Sequence, residues 1–387
     1  NAKINCYDTG TAPCKTACPA HIAVQGYLKM AAQGRFIDAL ALIKKENPFP
    51  AVCGHVCNRR CEDACTRGTI DEAIAIDEVK KFIAMQDLKA DTRYIPKKVV
   101  PSTKGSFDEK VAIIGGGPAG LSCAFYLAEK GYKPTVFEKN EKAGGMLVYG
   151  IPSFKLEKDV VEAEIDVIHK MGVDIKTGVE VGKDITIDEL KKQGYKAFYI
   201  AIGCQGSRKA GIPGEDADGV VSAVDFLKQA GYTHEYPLEG DVVVIGGGAV
   251  GLDVVEFFAP RGAEVSIVEM MPAIGRDLDP VTKNDTKCMM EKYNVNQLTS
   301  TALQEVKEDC FVVKSPEGEV YELPFDHGFV CLGMRAQSKV YEEVSKAYKD
   351  TNVRVENIGD SVRARRIIDG TFEGRNIIFT LEQKGFL

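Results

Sequence analysis

Residues 111–139, VAIIGGGPAGLSCAFYLAEKGYKPTVFEK, decide the fold. Four apolar residues run into a turn carrying Gly115, Gly117 and Gly120, a helix with small and apolar residues along one face follows, and a second apolar run ends at Glu138. That is the pattern of one βαβ unit. Each part has a mechanical reason. Gly115 permits the tight turn, Gly117 lets backbone N–H groups approach a pyrophosphate at the helix N-terminus, and Gly120 permits close packing of helix on strand. Glu138, 23 residues beyond Gly115, stands where a carboxylate meets a ribose hydroxyl. Alone, such a run fits a bare glycine turn equally well.

It is not alone. Residues 242–270, VVVIGGGAVGLDVVEFFAPRGAEVSIVEM, repeat it at a constant offset of 131, so that Gly115, Gly117, Gly120, Gly131 and Glu138 map onto Gly246, Gly248, Gly251, Gly262 and Glu269. Coincidence at five positions is improbable, and two dinucleotide sites are expected. One nucleotide held permanently and one exchanging is the plan of a flavoprotein reductase.

At 387 residues, 44% hydrophobic and 27% charged, the chain has room for two or three domains with proper cores. A net charge of −7 argues against nucleic acid or an anionic membrane as a general partner. The longest apolar stretch, 242–259, contains Asp253 and Glu256, so no membrane insertion is expected. The chain opens on Asn1 with no secretion signal, and the expected location is cytoplasmic.

Seven of the twelve cysteines (Cys6, Cys14, Cys18, Cys53, Cys57, Cys61, Cys65) lie in the first 65 residues. Cys123, Cys204, Cys288, Cys310 and Cys331 are scattered through apolar segments and read as inert core. In an intracellular Rossmann protein the clustered seven point to metal rather than disulfides. Cys14 and Cys18, followed by Pro19, form a step like those that ligate iron–sulfur clusters, and Cys53, Cys57, Cys61 and Cys65 follow at intervals of four. Zinc is the competing reading of the spacing. His55 could join such a site or be a packing residue. Helices are expected near 22–33, 35–46 and 74–88, then a polar linker over 89–110.

The runs PCKTACPAHI, ENPFPAVCGHVCNRRCEDAC and AIDEVKKF resemble the N-terminal iron–sulfur domain of the glutamate synthase small-subunit family. That domain is shared with dihydropyrimidine dehydrogenase and with the large subunit of NADH-dependent ferredoxin:NADP oxidoreductase. The similarity extends over nearly the whole chain. It implies an α/β protein with a helical iron–sulfur domain (1–100), an FAD-binding domain (101–235 and 330–387) and a Rossmann-like NAD(H)-binding domain (236–329) inserted into it. It implies one or two [4Fe–4S] clusters, one using Cys14 and Cys65, the other Cys18, Cys57 and Cys61, with Cys6 matching a further ligand. Thr9 and Lys80 depart from the family's ligand pattern. Cys53 matches a position that is not a ligand in the relatives.

By the same resemblance FAD is met by Gly115, Gly117, Pro118, Ala119, Gly120, Glu138, Lys139, Gly145, Met146, Leu147, Ile151, Val181, Ala201, Gly203, Gly359 and Asp360, and NAD(H) by Gly246, Gly248, Ala249, Val250, Gly251, Glu269 and Gly333. A helix near 157–171, short strands around 174–181 and a strand ending at 201–203 complete the flavin half; after the second unit a strand at 329–333 leads back, and 355–360 closes the flavin domain. Arg363, Arg365, Arg366 and Lys80 could tune charge near a cluster or the flavin, but read first as exposed charge.

The C-terminal half, with IVEMMPAIGRDLDP and IGDSVRARRIIDGTFEGRN, resembles the 2-enoate and 2,4-dienoyl-CoA reductases, whose substrate barrel this chain has no room for. No redox cysteine pair follows the flavin turn, which argues against thiol–disulfide chemistry. The expected role is an electron-transfer subunit of a hetero-oligomer, open to electron bifurcation, with other redox subunits or a ferredoxin-like carrier as partners. No catalytic acid or base is named, because the cofactors supply the chemistry. A stand-alone NAD(P)H-dependent reductase and a non-catalytic subunit with vestigial nucleotide sites are the alternatives.

Overall fold

The computed structural model describes residues 12–99, 107, 109–204, 206–207, 209, 211–215, 222–233, 239–276, 278–336, 338–351 and 353–383. Cys6 and Thr9 lie outside them. The chain forms two compact units, one of Asn1–Val148, Lys155–Cys204 and Ala336–Leu387, the other of Tyr149–Phe154 and Gln205–Arg335.

The first unit holds a five-stranded parallel sheet in the order Arg354–Asn357, Tyr195–Ile200, Lys110–Ile114, Lys133–Glu138, Asp174–Thr177. Ile114 is level with Ile200 and Phe137, and Ile200 with Asn357, so the strands end along one edge. At that carboxyl edge an open α/β sheet binds its ligand. The Pro118–Glu129 helix is buried from Ala119 to Ala128 because it is covered twice. On one side lies the sheet; on the other lies the C-terminal Ile367–Gln383 helix, whose Gly374 backbone sits so close that an added Cβ would be 2.7 Å from the Ala119 carbonyl.

The N-terminal segment is helical, as its periodicity predicts, with helices Val24–Ala32, Phe36–Lys44, Pro50–Val56 and Ile76–Leu88 around a core of Tyr27, Leu40, Ile43, Phe49, Ile76 and Ile83. It is fastened to the flavin half by polar contacts at buried positions. Glu164 of the Lys158–Lys170 helix accepts from the Ala51 and Val52 amides at 3.2 and 3.0 Å, and the Tyr126 hydroxyl donates to the Lys44 carbonyl at 3.1 Å. Arg93, in the segment read as linker, donates to the Ala163 carbonyl at 3.1 Å.

In the second unit a four-stranded parallel sheet runs His327–Val330, Asp241–Ile245, Glu264–Glu269, Asn296–Thr299. An antiparallel meander, Ala302–Val306, Cys310–Lys314 and Val320–Pro324, packs on one face through Phe311 and Val313. Phe226, Phe257, Phe258 and Phe329 fill the other face. The strand expected to lead back to the flavin half therefore belongs to this sheet: His327–Val330 hydrogen-bonds along Asp241–Ile245 because its apolar face completes the Phe226 core. Gly206–Ser207 and Met334–Arg335 pair as a short ribbon beyond it.

Candidate functional site

The two glycine turns are built alike. Gly115 has φ +110° with the Ala201 carbonyl so near that a Cβ would be 2.3 Å away, and Gly246 has φ +108° with the Cys331 carbonyl 2.4 Å from the same point. An L side chain fails on both counts. At Gly120 and Gly251 a Cβ would overlap the Gly115 and Gly246 carbonyls, at 2.0 and 1.9 Å. Behind each turn stands its acid. Glu138 Oε2 accepts from the Gly116 amide at 2.7 Å and Oε1 from the Asn140 amide at 2.9 Å, and Glu269 Oε2 accepts from the Gly247 amide at 2.6 Å and Oε1 from the Met271 amide at 2.8 Å. Each carboxylate thus orients its own loop.

Around the first turn the structure gathers segments far apart in sequence. The Gly144 amide donates to the Gly116 carbonyl at 2.7 Å, which lays the Gly145–Met146–Leu147 turn beside Gly117. Gly359 abuts Ala119, where an added Cβ would meet that of Ala119 at 2.6 Å. Its amide donates to Glu373 at 2.7 Å and its carbonyl accepts from Arg365 at 3.2 Å. Asp360 Oδ1 accepts from the Arg365 amide at 3.0 Å, and the Cys204 thiol donates to Oδ2 at 3.8 Å. Burial raises the Asp360 carboxyl and pushes the Cys204 thiol up to about 12. Cys204 is therefore buried, as expected, but hydrogen-bonded. The glycine surfaces leave a backbone-lined cradle at the sheet's carboxyl edge, the kind of surface a pyrophosphate can approach closely.

Ala201 and Gly203 lie at the same edge as this cradle, following Tyr195–Ile200. Val181 forms a bridge with Ile185 farther along the chain, and Lys139 is exposed after its strand. Ile151 falls in the second unit, as does Gly333 at φ +87°. Ala249 and Val250 open the Ala249–Phe258 helix at the second turn.

In the helical domain Cys18, Cys57 and Cys61 line one cavity together with Lys80, Tyr27 and Asn58. Burial pushes the Cys57 thiol up and that of Cys61 up to about 12, while the Lys80 ammonium pulls both back. Cys14 is raised by burial and lies within electrostatic reach of Cys65 and Cys18. Cys53, pushed to about 12 by burial, interacts with Asn47. Among the described residues no three His, Cys, Asp or Glu groups are close enough to hold a single metal ion. The three thiols instead line one cavity, and cysteine thiolates are the donors an iron–sulfur cluster takes.

His55 is a packing residue, one of the two readings its sequence left open, with Nδ1 2.8 Å from the Ala51 carbonyl and Nε2 3.3 Å from Glu157. Three sequence expectations need correction. Lys80 is buried, not exposed, because it pairs with Asp77 at 2.5 Å inside the domain. Arg365 is half-buried against Glu373. Among the scattered cysteines Cys288 is exposed, on the outer face of the Pro280–Lys292 helix. The sequence reading missed Glu164, Asp77 and Glu373.

Against known proteins, residues 109–359 match the pyridine nucleotide-disulphide oxidoreductase family. The chain belongs to that family. Residues 2–92 of this oxidoreductase match dihydropyrimidine dehydrogenase domain II, 4Fe-4S cluster. Its cofactors are accordingly FAD, NAD(P)H and an iron–sulfur cluster. It is 33% identical over 405 residues to the beta subunit of NADP(+)-dependent formate dehydrogenase from Moorella thermoacetica, covering 95% of this chain and 57% of that one. To the beta subunit of NADPH-Fe(3+) oxidoreductase from Geobacter sulfurreducens it is 37% identical, covering 67% and 38%. The oxidoreductase thus spans about two fifths to three fifths of the length of these two relatives. To the glutamate synthase [NADPH] small chain of Halomonas elongata it is 30% identical, covering 96% and 87%. Among solved structures a 2-naphthoyl-CoA reductase complex shares the fold at TM-score 0.65 and 22% identity, over 93% of this chain and 49% of that one. Among the described residues no helix is long and apolar enough to cross a membrane.

Proposed function

We propose that the chain is the electron-input subunit of a larger oxidoreductase: NADH is bound at the Gly246–Glu269 turn, FAD at the Gly115–Glu138 turn, and electrons leave through the cysteine-rich domain to a companion redox subunit or a ferredoxin-like carrier. FAD held there would supply hydride acceptance and one-electron release, the chemistry on which bifurcation would also depend. The chain's residues do the holding. The Gly116 and Gly144 backbones shape the flavin cradle, Glu138 accepts a ribose hydroxyl, and Asp360 presents a carboxylate at its far side. Cys18, Cys57 and Cys61 would hold one cluster; Cys14 and Cys65, joined by Cys6, would hold another.

One observation carries this reading. The thiol-lined cavity and the flavin cradle occupy the same compact unit, fastened by Glu164, Tyr126 and Arg93. Iron and acid-labile sulfide in anaerobically purified protein test it. At least four of each per chain are expected for a cluster of four irons, whereas stoichiometric zinc without sulfide would refute the proposal.

The coenzyme is NADH rather than the NADP(H) named for the relatives. Glu269 presents its carboxylate at the strand end, and Met270 and Met271 follow, both exposed. A ribose hydroxyl finds an acceptor there; a 2′-phosphate finds repulsion and no adjacent arginine. Glu269→Ala should narrow the NADH preference by roughly ten- to a hundredfold, since a hydrogen bond to a charged group is worth about 1.5–3 kcal/mol. Stopped-flow flavin reduction faster with NADPH than NADH in the unsubstituted protein would contradict the assignment.

A further inference from the structure

Three thiols and one ammonium face the cavity of the helical domain, Cys18, Cys57 and Cys61 with Lys80, and Ile22, Val24 and Ile76 make much of the remaining wall apolar. The other polar groups there are engaged elsewhere. The Tyr27 hydroxyl donates to the Ile76 carbonyl at 3.2 Å. In the orientation that suits its neighbours, the Asn58 side-chain oxygen accepts from Arg60 Nε at 3.1 Å and from Arg366. Lys80 Nζ lies 2.5 Å from Asp77 Oδ1, one helical turn earlier, with side chains 7% and 1% exposed. Arg59 approaches the other Asp77 oxygen at 3.7 Å. An ammonium paired in this way has no lone pair to give to iron.

We propose that a [4Fe–4S] cluster in this cavity is held by three thiolates only, that Lys80 is its counter-charge and not its fourth ligand, and that the fourth iron is open to a small exogenous anion or thiol. The inference rests on the proposed cluster site and adds what its fourth position does. Charge supports it. Three thiolates around a doubly positive core leave one negative charge. Lys80, and Arg60 in the cavity wall, are the cations placed to meet that charge, while Arg59 is committed to Glu78 at 2.8 Å.

The test uses the full chain, purified anaerobically, with iron and sulfide counted before and after one equivalent of ferricyanide. An iron lacking a protein ligand is lost on one-electron oxidation: the cluster gives one electron to ferricyanide and releases one ferrous ion, leaving a three-iron centre with its sharp EPR signal. Unsubstituted protein is expected to convert, and cyanide added to the reduced protein should shift the cluster's EPR spectrum. Lys80→Cys, which supplies a fourth thiolate, should lose both responses, and Lys80→Met should keep them. The signal should also survive Cys14→Ser/Cys65→Ser, which disables the other cysteine set. Unsubstituted protein that retains all its iron under ferricyanide and ignores cyanide overturns the proposal, as does a signal lost with Cys14 and Cys65. Iron and sulfide contents that Cys57→Ser leaves unchanged would remove the cluster site itself, and this inference with it.

Discussion

Replacing Glu164 with alanine should destabilise the first unit by about 2–5 kcal/mol, the cost of leaving two buried backbone donors without an acceptor at about 1–3 kcal/mol each. Glu164 is 1% exposed, and each of its oxygens accepts a backbone N–H at the start of the Pro50–Val56 helix, with Lys44 Nζ 4.0 Å away. Alanine would leave two buried donors unsatisfied and the Lys44 ammonium without its carboxylate. Urea unfolding followed by near-UV circular dichroism measures the loss. A variant with an unchanged midpoint would show that this contact does not hold the helical domain to the flavin half. Burial pushes the Glu164 carboxyl up to about 7, against the opposing pull of Lys44, the two amides and Lys80. Lys44 is itself lowered by burial, with Glu164 and Asp87 acting against that. The sign is that of a raised acid. The unfolded chain ionises this group near 4.5, so the stability it contributes is full below that value and falls as pH rises through about 7. The fall is on the order of 3 kcal/mol, and Glu164→Gln should flatten it between pH 5 and 8.

The dinucleotide turns were legible in sequence because their constraint is local and leaves a glycine trace. No side chain fits at Gly115 beside the Ala201 carbonyl or at Gly120 above Gly115, and the same holds at Gly246 and Gly251. Glu164 left no such trace. Its partners lie 112 and 113 residues away, and an acid on an amphipathic helix looks like a surface residue until another domain covers it. Asp77 was missed and Lys80 misread for the same reason. A charged pair three apart on a helix resembles the exposed Lys287–Glu291 pair four apart, and only the burial of Ile76–Leu88 against the cysteine-bearing helices separates the two cases. The strand His327–Val330 was assigned a return path because its sequence looks alike in either sheet; the choice is made by the aromatic core around Phe226.

Substituting Cys57 and Cys61 by serine should abolish electron transfer to the companion protein, by a factor on the order of a hundred or more, since even outer-shell changes at metal sites cost 10–100-fold, while NADH still bleaches the flavin. The separation follows from the layout. Cys57 ends the Pro50–Val56 helix and Cys61 lies in the Arg60–Asp63 helix, whereas the Gly115, Gly144 and Gly359 segments that form the cradle are strand-end turns of the sheet. The linking contacts through Glu164, Tyr126 and Arg93 involve neither cysteine, so the helical domain should remain attached when the two thiols are lost. Serine keeps the size of the side chain and removes the soft donor iron requires. The companion is assayed by its own reduction under anaerobic conditions, with a dye as the control acceptor taking electrons from the flavin directly. Loss of companion reduction with dye reduction retained is the expected result. If companion reduction survives in protein shown to contain no iron, electrons leave from the flavin itself, and the cysteine-rich domain is structural rather than conductive.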